Sequence, residues 1–181
     1  MTAPKDIDPD LFARLRQIKL LSLDVDGVLT DSGLYYTDSG EEIRRFNVKD
    51  GMGIKLARRA GCEVCILSAG TGDSILHRGR QLGLDLVFHQ VRDKKAKLAE
   101  ICSSLGIGLA DTAHMGDDTN DMPLMAEVGF ALAPADAMPA VRDAADLVTV
   151  KGGGMGCVRE VCDLIVQARD ADPVFTDGVG G

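Results

Sequence analysis

The sequence predicts an α/β fold in which a parallel sheet forms the middle of three layers and helices cover both of its faces. Strand-like and helix-like segments alternate along most of the chain, and the connections between them are short. Three helical segments end at Gly61, Gly83 and Gly106, the residue type that most often terminates helices. The chain has 181 residues, 45% of them hydrophobic, which is enough for one aliphatic core. We therefore expect one domain over residues 1–170 and a disordered, Gly-rich tail over residues 171–181.

The first part of the chain combines a helix, a buried strand and a hairpin. Apolar residues at helical spacing over residues 11–18 lead into an apolar run at residues 19–23, which predicts a strand. In residues 33–46, two β-prone runs flank an Asp-Ser-Gly turn, and this pattern predicts a β-hairpin. A two-stranded ribbon is only marginally stable alone, so we expect it to protrude and to pack on another surface.

The rest of the chain alternates regularly. The pattern predicts helices at residues 50–61, 72–83, 94–106, 120–129 and 156–170, and strands at residues 63–68, 85–89, 112–116, 130–134 and 146–150. Strands joined through helices run parallel and are buried on both faces of their sheet. Ligands of such sheets bind beyond the carboxyl ends of the strands.

Composition excludes two classes of partner. The formal net charge is −8, and the sequence has no run of Lys and Arg residues that would form a basic stripe. Both observations argue against nucleic acid binding. No apolar run approaches the ~20 residues that span a bilayer, and the first ten residues lack the plan of a signal peptide. We therefore expect a cytoplasmic protein without a membrane partner.

The five cysteines are odd in number and lie mostly among apolar residues, so a disulfide framework is not expected. Cys62 and Cys65 have the spacing of a redox or zinc pair. Their segment is predicted to be a strand, however, where side chains three positions apart point to opposite faces. This favours a buried structural role over metal or redox chemistry.

Polar residues recur where the predicted strands end. Asp24 and Asp26 follow the first strand, Ser68 ends the second, Lys94 opens the helix after the third, and the acidic run "GDDTND" follows the fourth. All of these positions belong to the same rim of a parallel sheet, so we expect their side chains to converge.

Converging carboxylates repel one another and raise each other's pKa unless a cation neutralises them. Mg²⁺ suits oxygen ligands and leaves coordination positions for water and phosphate, so the pattern predicts a magnesium-phosphate site. Asp24 and Asp26 are two residues apart and point the same way from an extended backbone. One can attack phosphorus while the other handles protons, and a serine hydroxyl and a lysine ammonium can hold the phosphoryl oxygens.

Several motifs together resemble the haloacid dehalogenase superfamily of phosphotransferases. They are "DVDGVLTD", a serine that ends the second strand, a lysine that opens a later helix, and "GDDTND". More narrowly, "DVDGVLTDSGLYYTDSGEEIRRFNVKDGMGIKLARRAG" and "GGGMGCVREVCDLI" resemble the capless branch that hydrolyses 3-deoxy-D-manno-octulosonate 8-phosphate and nonulosonate 9-phosphates. The similarity covers about residues 18–168. It implies a Rossmann-like fold and a Mg²⁺-dependent phosphomonoesterase for a phosphorylated sugar acid, in sugar-acid and lipopolysaccharide biosynthesis.

The resemblance also implies a role for each matching residue. Asp24 would be the nucleophile that forms an aspartyl-phosphate, and Asp26 would protonate the leaving alcohol and then activate water. Ser68 and Lys94 would bind the phosphoryl group. Asp117 would complete a metal site with Asp24 and the backbone carbonyl of Asp26.

The same resemblance leaves supporting roles to the remaining acids of the "GDDTND" run. Asp118 and Asp121 would orient waters or the loop. Spacing favours Lys94 over Lys95 and Lys97, which read as solvated helix residues. The branch forms homotetramers in which the hairpin of one subunit helps to close a neighbouring active site, and this chain is expected to do the same.

Two departures bear on the substrate. The second motif of the branch usually continues into Gly-Arg, whereas this chain has Ala69 and Gly70 there; its late glycine loop usually carries an arginine where this chain has Met155. Two guanidinium groups that could clamp a sugar-acid carboxylate are therefore missing. Possible substitutes, each also readable as an ordinary surface charge, are Lys49, Lys55, Arg78 and Lys151.

Three alternatives stay open at this point. A signalling receiver domain also gathers acidic residues and a lysine around a phosphorylated aspartate, but it is shorter and has no late acidic cluster such as "GDDTND". A non-catalytic or regulatory oligomer could keep the fold after losing the substrate clamp. A phosphatase with a different or relaxed substrate range would fit the missing arginines. His114, within a predicted strand, is expected to be structural.

Overall fold

The computed structural model describes residues 9–171. The strands are β1 (Leu20–Leu23), β2 (Tyr35–Tyr36), β3 (Glu42–Ile43), β4 (Glu63–Leu67), β5 (Val87–Phe88), β6 (Thr112–Met115), β7 (Phe130–Ala133) and β8 (Leu147–Val148). The helices are α1 (Pro9–Gln17), α2 (Val48–Arg59), α3 (Asp73–Leu82), α4 (Lys94–Leu105), α5 (Met122–Met125), α6 (Pro139–Ala144) and α7 (Cys157–Ala168).

Six strands form one sheet in the order β5-β4-β1-β6-β7-β8, and every neighbouring pair is parallel. The central strand β1 is in register with β4 on one side and β6 on the other, so Leu23 pairs with both Ile66 and Met115. The carboxyl ends of these three strands therefore lie side by side. The segments that follow them begin at the same rim.

Both faces of the sheet are covered, as the alternation predicts. On one face, Leu21 and Leu23 pack in a core with Ile54 of α2 and Val161 of α7. On the other face, Leu67 and its neighbours pack against α4. Removing each such side chain from water stabilises the fold by roughly 1.5–3 kcal/mol. The predicted three-layer α/β architecture is confirmed.

The predicted hairpin is present as the antiparallel pair β2 and β3, in which Tyr35 faces Ile43 and Tyr36 faces Glu42. It stands apart from the main sheet. A capless α/β domain with a short ribbon is therefore the observed arrangement.

Element lengths differ from the sequence prediction in the last third of the chain. Helix α6 was not predicted, although Pro139 stands in its first turn, a favoured place for proline. Helix α5 is only four residues long, within the predicted range 120–129. The single-domain assignment to residues 1–170 stays a prediction, and the tail at residues 172–181 lies outside the described residues.

All five cysteines are unpaired and buried. Cys62 lies in the core on one face of the sheet and Cys65 in the core on the other, as the strand alternation predicts. Burial raises the pKa of both thiols to about 12, so neither is a reactive thiolate at neutral pH. The structural interpretation of this pair is confirmed.

Across residues 9–171, no helix combines the length and the apolar character that crossing a bilayer requires.

Candidate active site

The carboxyl ends of β1, β4 and β6 open into a cleft of about 270 Å³. Its walls come from the loops that follow these strands, and its lining is mainly polar. The lining includes Asp24, Asp26, Ser68, Gly70, Asp117 and Asp118.

Asp24 occupies the floor of the cleft. Its backbone N–H donates to the carbonyl of Met115 at 3.0 Å, which continues the β1–β6 ladder by one residue and fixes the aspartate at the strand end. Its carboxylate lies 3.0 Å from Nζ of Lys94 and is almost fully buried. Burial, helped by the charge of Asp121, raises the pKa of Asp24 to about 7, although Lys94 opposes that rise.

Asp26 lies two residues further on, in the loop Val25–Leu29. Its Oδ1 accepts a hydrogen bond from Nε of Arg44 at 2.8 Å, and its Oδ2 accepts a longer one from Nη2 of Arg44 at 3.4 Å. The side chain of Asp26 is 39% exposed, whereas that of Arg44 is only 4% exposed. The carboxylate therefore meets the cleft on one side and a buried guanidinium on the other.

Ser68 ends the second strand of the site. Its hydroxyl accepts a hydrogen bond from the backbone N–H of Gly70 at 3.0 Å, and the residue is buried except where it meets the cleft. This bond fixes the oxygen and leaves the hydroxyl proton available to a ligand.

Lys94 belongs to a buried polar network behind Asp24. Its Nζ donates to Oδ1 of Asp121 at 2.6 Å, and Nε2 of His114 lies 3.1 Å from the same oxygen. Nδ1 of His114 in turn lies 3.0 Å from the hydroxyl of Ser22. Burial lowers the pKa of Lys94, but the charges of Asp24 and Asp121 outweigh burial and raise it above its ordinary value, so the lysine is a cation.

Asp117 lines the same cleft, with a carboxylate oxygen within 4.8 Å of one of Asp24. A β-carbon at Gly27 would overlap its carboxyl group, so only glycine allows the loop after β1 to approach Asp117 this closely. Burial and the charges of Asp121 and Asp118 raise the pKa of Asp117 to about 7. Asp118 itself is exposed, and its Oδ1 accepts hydrogen bonds from the N–H and the hydroxyl of Thr119 at 2.6 and 3.2 Å.

The arrangement fits a divalent cation. Asp24, Asp117 and Asp121 each offer a carboxylate oxygen, and these oxygens lie within 4.8 Å of one another. Among residues 9–171, Oδ2 of Asp121 is one of the few buried polar atoms without a hydrogen-bond partner. The raised pKa values of Asp24 and Asp117 indicate crowded charge that a bound cation would relieve.

The residues picked out from the sequence converge as expected at the rim of the sheet. Asp24, Asp26, Ser68 and Asp117 line the cleft, and Lys94 touches Asp24 from beneath. Asp118 lies at the margin of the cleft. Asp121 is fully buried, where it binds Lys94 and His114.

Sequence reasoning missed two contributors to the site, Arg44 and His114. Arg44 stands 18 residues from Asp26 in a ribbon with no motif of its own, and no local pattern reveals the contact. The prediction that His114 is structural agrees with its burial and its two hydrogen bonds. What the sequence does not reveal is that its partner Asp121 also holds Lys94.

The two positions that lack an arginine both lie beside an arginine of the hairpin. A β-carbon at Gly70 would be 3.1 Å from Nη2 of Arg44. The sulfur of Met155 is 3.8 Å from Nη1 of Arg45, which also pairs with Asp31 at 3.1 Å. Guanidinium groups are therefore present near both places, although they come from another segment.

Comparisons with known proteins agree with this geometry. Residues 74–153 match the model of a family described as haloacid dehalogenase-like hydrolase. The 3-deoxy-D-manno-octulosonate 8-phosphate phosphatase of Escherichia coli K12 is 39% identical over 163 residues, which cover 90% of this chain and 87% of that protein.

Solved structures give the same result. The 3-deoxy-D-manno-octulosonate 8-phosphate phosphatase from Yersinia pestis superposes with a TM-score of 0.88 at 38% identity, over 91% of this chain and 89% of the other. The enzyme of the same name from Moraxella catarrhalis has a TM-score of 0.86 at 32% identity, over 89% of this chain and 92% of the other. The Moraxella structure holds a magnesium ion, a phosphate ion and a KDO molecule. The prediction of a magnesium cofactor is thereby confirmed at the level of the relatives.

Proposed function

The chain belongs to the haloacid dehalogenase-like hydrolase family, as a phosphoric monoester hydrolase, and from that premise we propose that it hydrolyses 3-deoxy-D-manno-octulosonate 8-phosphate or a nonulosonate 9-phosphate. The observation that carries the chemistry is the buried Asp24, held 3.0 Å from Nζ of Lys94 at the floor of a polar cleft. The substrate class rests on 39% identity to a phosphatase of that name over 90% of the chain. The product would enter sugar-acid and lipopolysaccharide biosynthesis.

In the first half of the proposed reaction, a carboxylate oxygen of Asp24 attacks phosphorus. As the new O–P bond forms, the bond from phosphorus to the sugar oxygen breaks, and Asp26 gives its proton to that oxygen. Ser68 and Lys94 donate hydrogen bonds to the phosphoryl oxygens and hold them while charge is redistributed. An aspartyl-phosphate and a free sugar acid result.

In the second half, Asp26 takes a proton from water and the water oxygen attacks phosphorus. The O–P bond to Asp24 breaks, which releases inorganic phosphate and regenerates the carboxylate. Asp24 and Asp117, with the backbone carbonyl of Asp26, are the proposed ligands of Mg²⁺. When bound, that ion supplies positive charge beside the phosphoryl oxygens.

Replacement of Asp24 by asparagine tests the mechanism. Asp24→Asn keeps the shape of the side chain but replaces the nucleophilic carboxylate with a neutral amide, so kcat should fall by at least about 1,000-fold on every phosphomonoester. Activity is measured as phosphate release with Mg²⁺ and with a chelator, and Asp38→Asn, at the exposed hairpin turn, serves as the control. Equal activity of wild type and Asp24→Asn would refute the nucleophile assignment.

A phosphatase of relaxed specificity is the second candidate, and Gly70 and Met155 favour it because they stand where a carboxylate clamp is expected. A panel of phosphorylated sugar acids, neutral sugar phosphates and simple alkyl or aryl phosphates, ranked by kcat/KM, separates the two candidates. Strong preference for a sugar-acid phosphate supports the first. A flat profile supports the second, and no hydrolysis of any ester with Mg²⁺ would contradict both.

Two further features belong to the proposal. The chain would act as a homotetramer, with the hairpin of one subunit against the active site of another; the exposed apolar side chains of the ribbon support this. It would work in the cytoplasm, which five unpaired thiols fit because a reducing compartment preserves them.

A further inference from the structure

Arg44 is the most deeply buried charged group of the hairpin. It follows β3 directly, and its side chain is 4% exposed. Nε donates to Oδ1 of Asp26 at 2.8 Å, and Nη1 pairs with Glu42 at 2.7 Å and lies 3.3 Å from the hydroxyl of Ser74. Burial lowers the pKa of Arg44, but Asp26 and Glu42 outweigh this effect and raise it above its ordinary value, so the side chain is a cation.

The guanidinium fits a slot that two glycines leave open. A β-carbon at Gly70 would lie 3.1 Å from Nη2 of Arg44 and 2.6 Å from Oδ2 of Asp26, and one at Gly72 would lie 2.9 Å from Nη1. Any side chain at either position would displace the arginine or the aspartate. The segment after β4 is therefore shaped to accept a guanidinium from the ribbon.

We propose that Arg44 is a positioning residue that holds Asp26 for both proton transfers of the reaction; this inference rests on the proposed function. Nε fixes Oδ1 at 2.8 Å, whereas Nη2 is 3.4 Å from Oδ2. The bond from Nη2 to Oδ2 is the longer of the two, so Oδ2 is the more weakly held oxygen and the one we assign to proton exchange. A charge-assisted bond holds the carboxylate in one orientation, while the side chain of Asp26 stays 39% exposed toward the cleft.

The proposal assigns the same oxygen atom, Oδ2 of Asp26, to both proton transfers. In the first step, the proton on Oδ2 of Asp26 passes to the ester oxygen as the P–O bond breaks, and the carboxylate that remains faces the Arg44 cation. In the second step, the same oxygen takes a proton from water as the water oxygen bonds to phosphorus and the bond to Asp24 breaks. Arg44 neither gives nor receives a proton in either step.

Kinetics with two leaving groups test the inference. The variant is Arg44→Gln, and the substrates are the best alkyl phosphate of the panel and p-nitrophenyl phosphate, whose leaving group needs no proton. The value of kcat/KM reports only the steps up to departure of the leaving group. It should therefore fall at least about 30-fold for the alkyl ester, whose leaving group needs a proton, and less than about 5-fold for the aryl ester. By contrast, kcat should fall for both, because both pass through the same aspartyl-phosphate and need Asp26 to activate water.

Two further variants serve as controls. Arg45→Gln removes the same charge from the neighbouring position of the ribbon, which is half-exposed, and should leave the ratio of the two kcat/KM values unchanged. Arg44→Lys keeps the charge and can make one bond to Oδ1, so it should recover part of the lost kcat/KM on the alkyl ester. Thermal melting checks that all three variants are folded.

Other outcomes overturn the inference. An equal fall of kcat/KM on both substrates would indicate a merely structural role. If Arg44→Gln raised KM for a sugar-acid phosphate but left kcat unchanged on the alkyl phosphate and on p-nitrophenyl phosphate, Arg44 would be a substrate contact instead. Failure of the proposed function looks different, because wild type would then hydrolyse neither ester.

Discussion

At the scale of single residues, the cleft holds more negative charge than its buried position favours. Burial and neighbouring carboxylates raise the pKa of Asp24 and of Asp117 from 3.8 to about 7. Each group therefore binds its proton more tightly in the folded chain than in the unfolded one. Its contribution to stability is fully present below pH ~4 and is lost as the pH rises through about 7.

This charge predicts how Mg²⁺ stabilises the protein. The ion binds ionised carboxylates, so its stabilising effect should be small at pH 5 and large at pH 8. At a Mg²⁺ concentration about 100 times its Kd and at pH 8, we expect a rise in Tm of roughly 5–10 °C. Differential scanning fluorimetry at both pH values, with Mg²⁺ or a chelator, measures the effect.

Asp117→Asn is the informative variant for this prediction. Without Mg²⁺ at pH 8 it should melt at a higher temperature than wild type, because it carries no buried charge opposite Asp24. It should also lose most of the Mg²⁺-dependent rise. Asp136→Asn, which alters a carboxylate bound to the glycine loop instead, should retain the rise. A rise of equal size at pH 5 and pH 8 would contradict the assignment.

Residues of the site differ in how far the sequence could predict them. Asp24 and Asp26 could be placed because the two-residue period of an extended chain puts both on one side of a strand end. Arg44 could not be, because its contact with Asp26 depends on how a ribbon folds back over a loop 18 residues earlier. His114 was correctly read as buried, but its bond to Asp121 connects β6 with the loop that follows it, and strand patterns carry no such information.

At the scale of elements, α2 and α7 share a core, and a carboxylate of α2 also binds the start of α7. Oδ1 of Asp50, within α2, accepts a hydrogen bond at 2.8 Å from the backbone N–H of Arg159 in the first turn of α7. The glycine loop before α7 packs on the loop after β1, since the N–H of Gly154 donates to the carbonyl of Val28 at 3.0 Å. Asp50 therefore fixes the start of α7, and with it the glycine loop that packs on the loop containing Asp26.

Asp50→Ala should reduce the free energy of unfolding by about 1–2 kcal/mol, because the N–H groups at the start of α7 lose a buried acceptor. Urea unfolding followed by circular dichroism measures the loss. Asp163→Ala is the control: it removes the partly exposed i,i+4 pair with Arg159 on the same helix and should cost no more than about 0.5 kcal/mol. Equal losses in the two variants would rule out a special role for Asp50.

The periodicity of the sequence predicts the strands of the sheet but not helix α6, which connects two of them. The strands β1, β4, β6 and β7 are buried at nearly every position, and in β1, β4 and β7 this burial appears in the sequence as mainly apolar runs. Helix α6 has six residues, of which only Val141 is buried, and an apolar stripe cannot be recognised in so short a segment. Its place is set by the need to connect β7 with β8.

At the scale of the whole molecule, the hairpin leaves apolar surface uncovered. Leu34 is 63% exposed, Tyr36 61% and Ile43 51%, although the second arm is fixed to the site through Arg44. Apolar side chains on both faces of a short ribbon are costly to leave in water, and contact with another subunit would bury them. The proposed homotetramer thus provides the surface that the ribbon needs.

The double variant Leu34→Ser/Ile43→Ser tests this proposal. It leaves untouched the hydroxyl of Tyr35, which binds Asp31 at 2.8 Å. Multi-angle light scattering should find a tetramer for wild type and smaller species for the variant, because the ribbon contact loses its apolar side chains. If the ribbon completes a neighbouring site, kcat/KM should fall together with the assembly and recover at high protein concentration. Val150→Ser, at an apolar residue 88% exposed elsewhere, should alter neither property, and a fully active wild-type monomer would contradict the proposal.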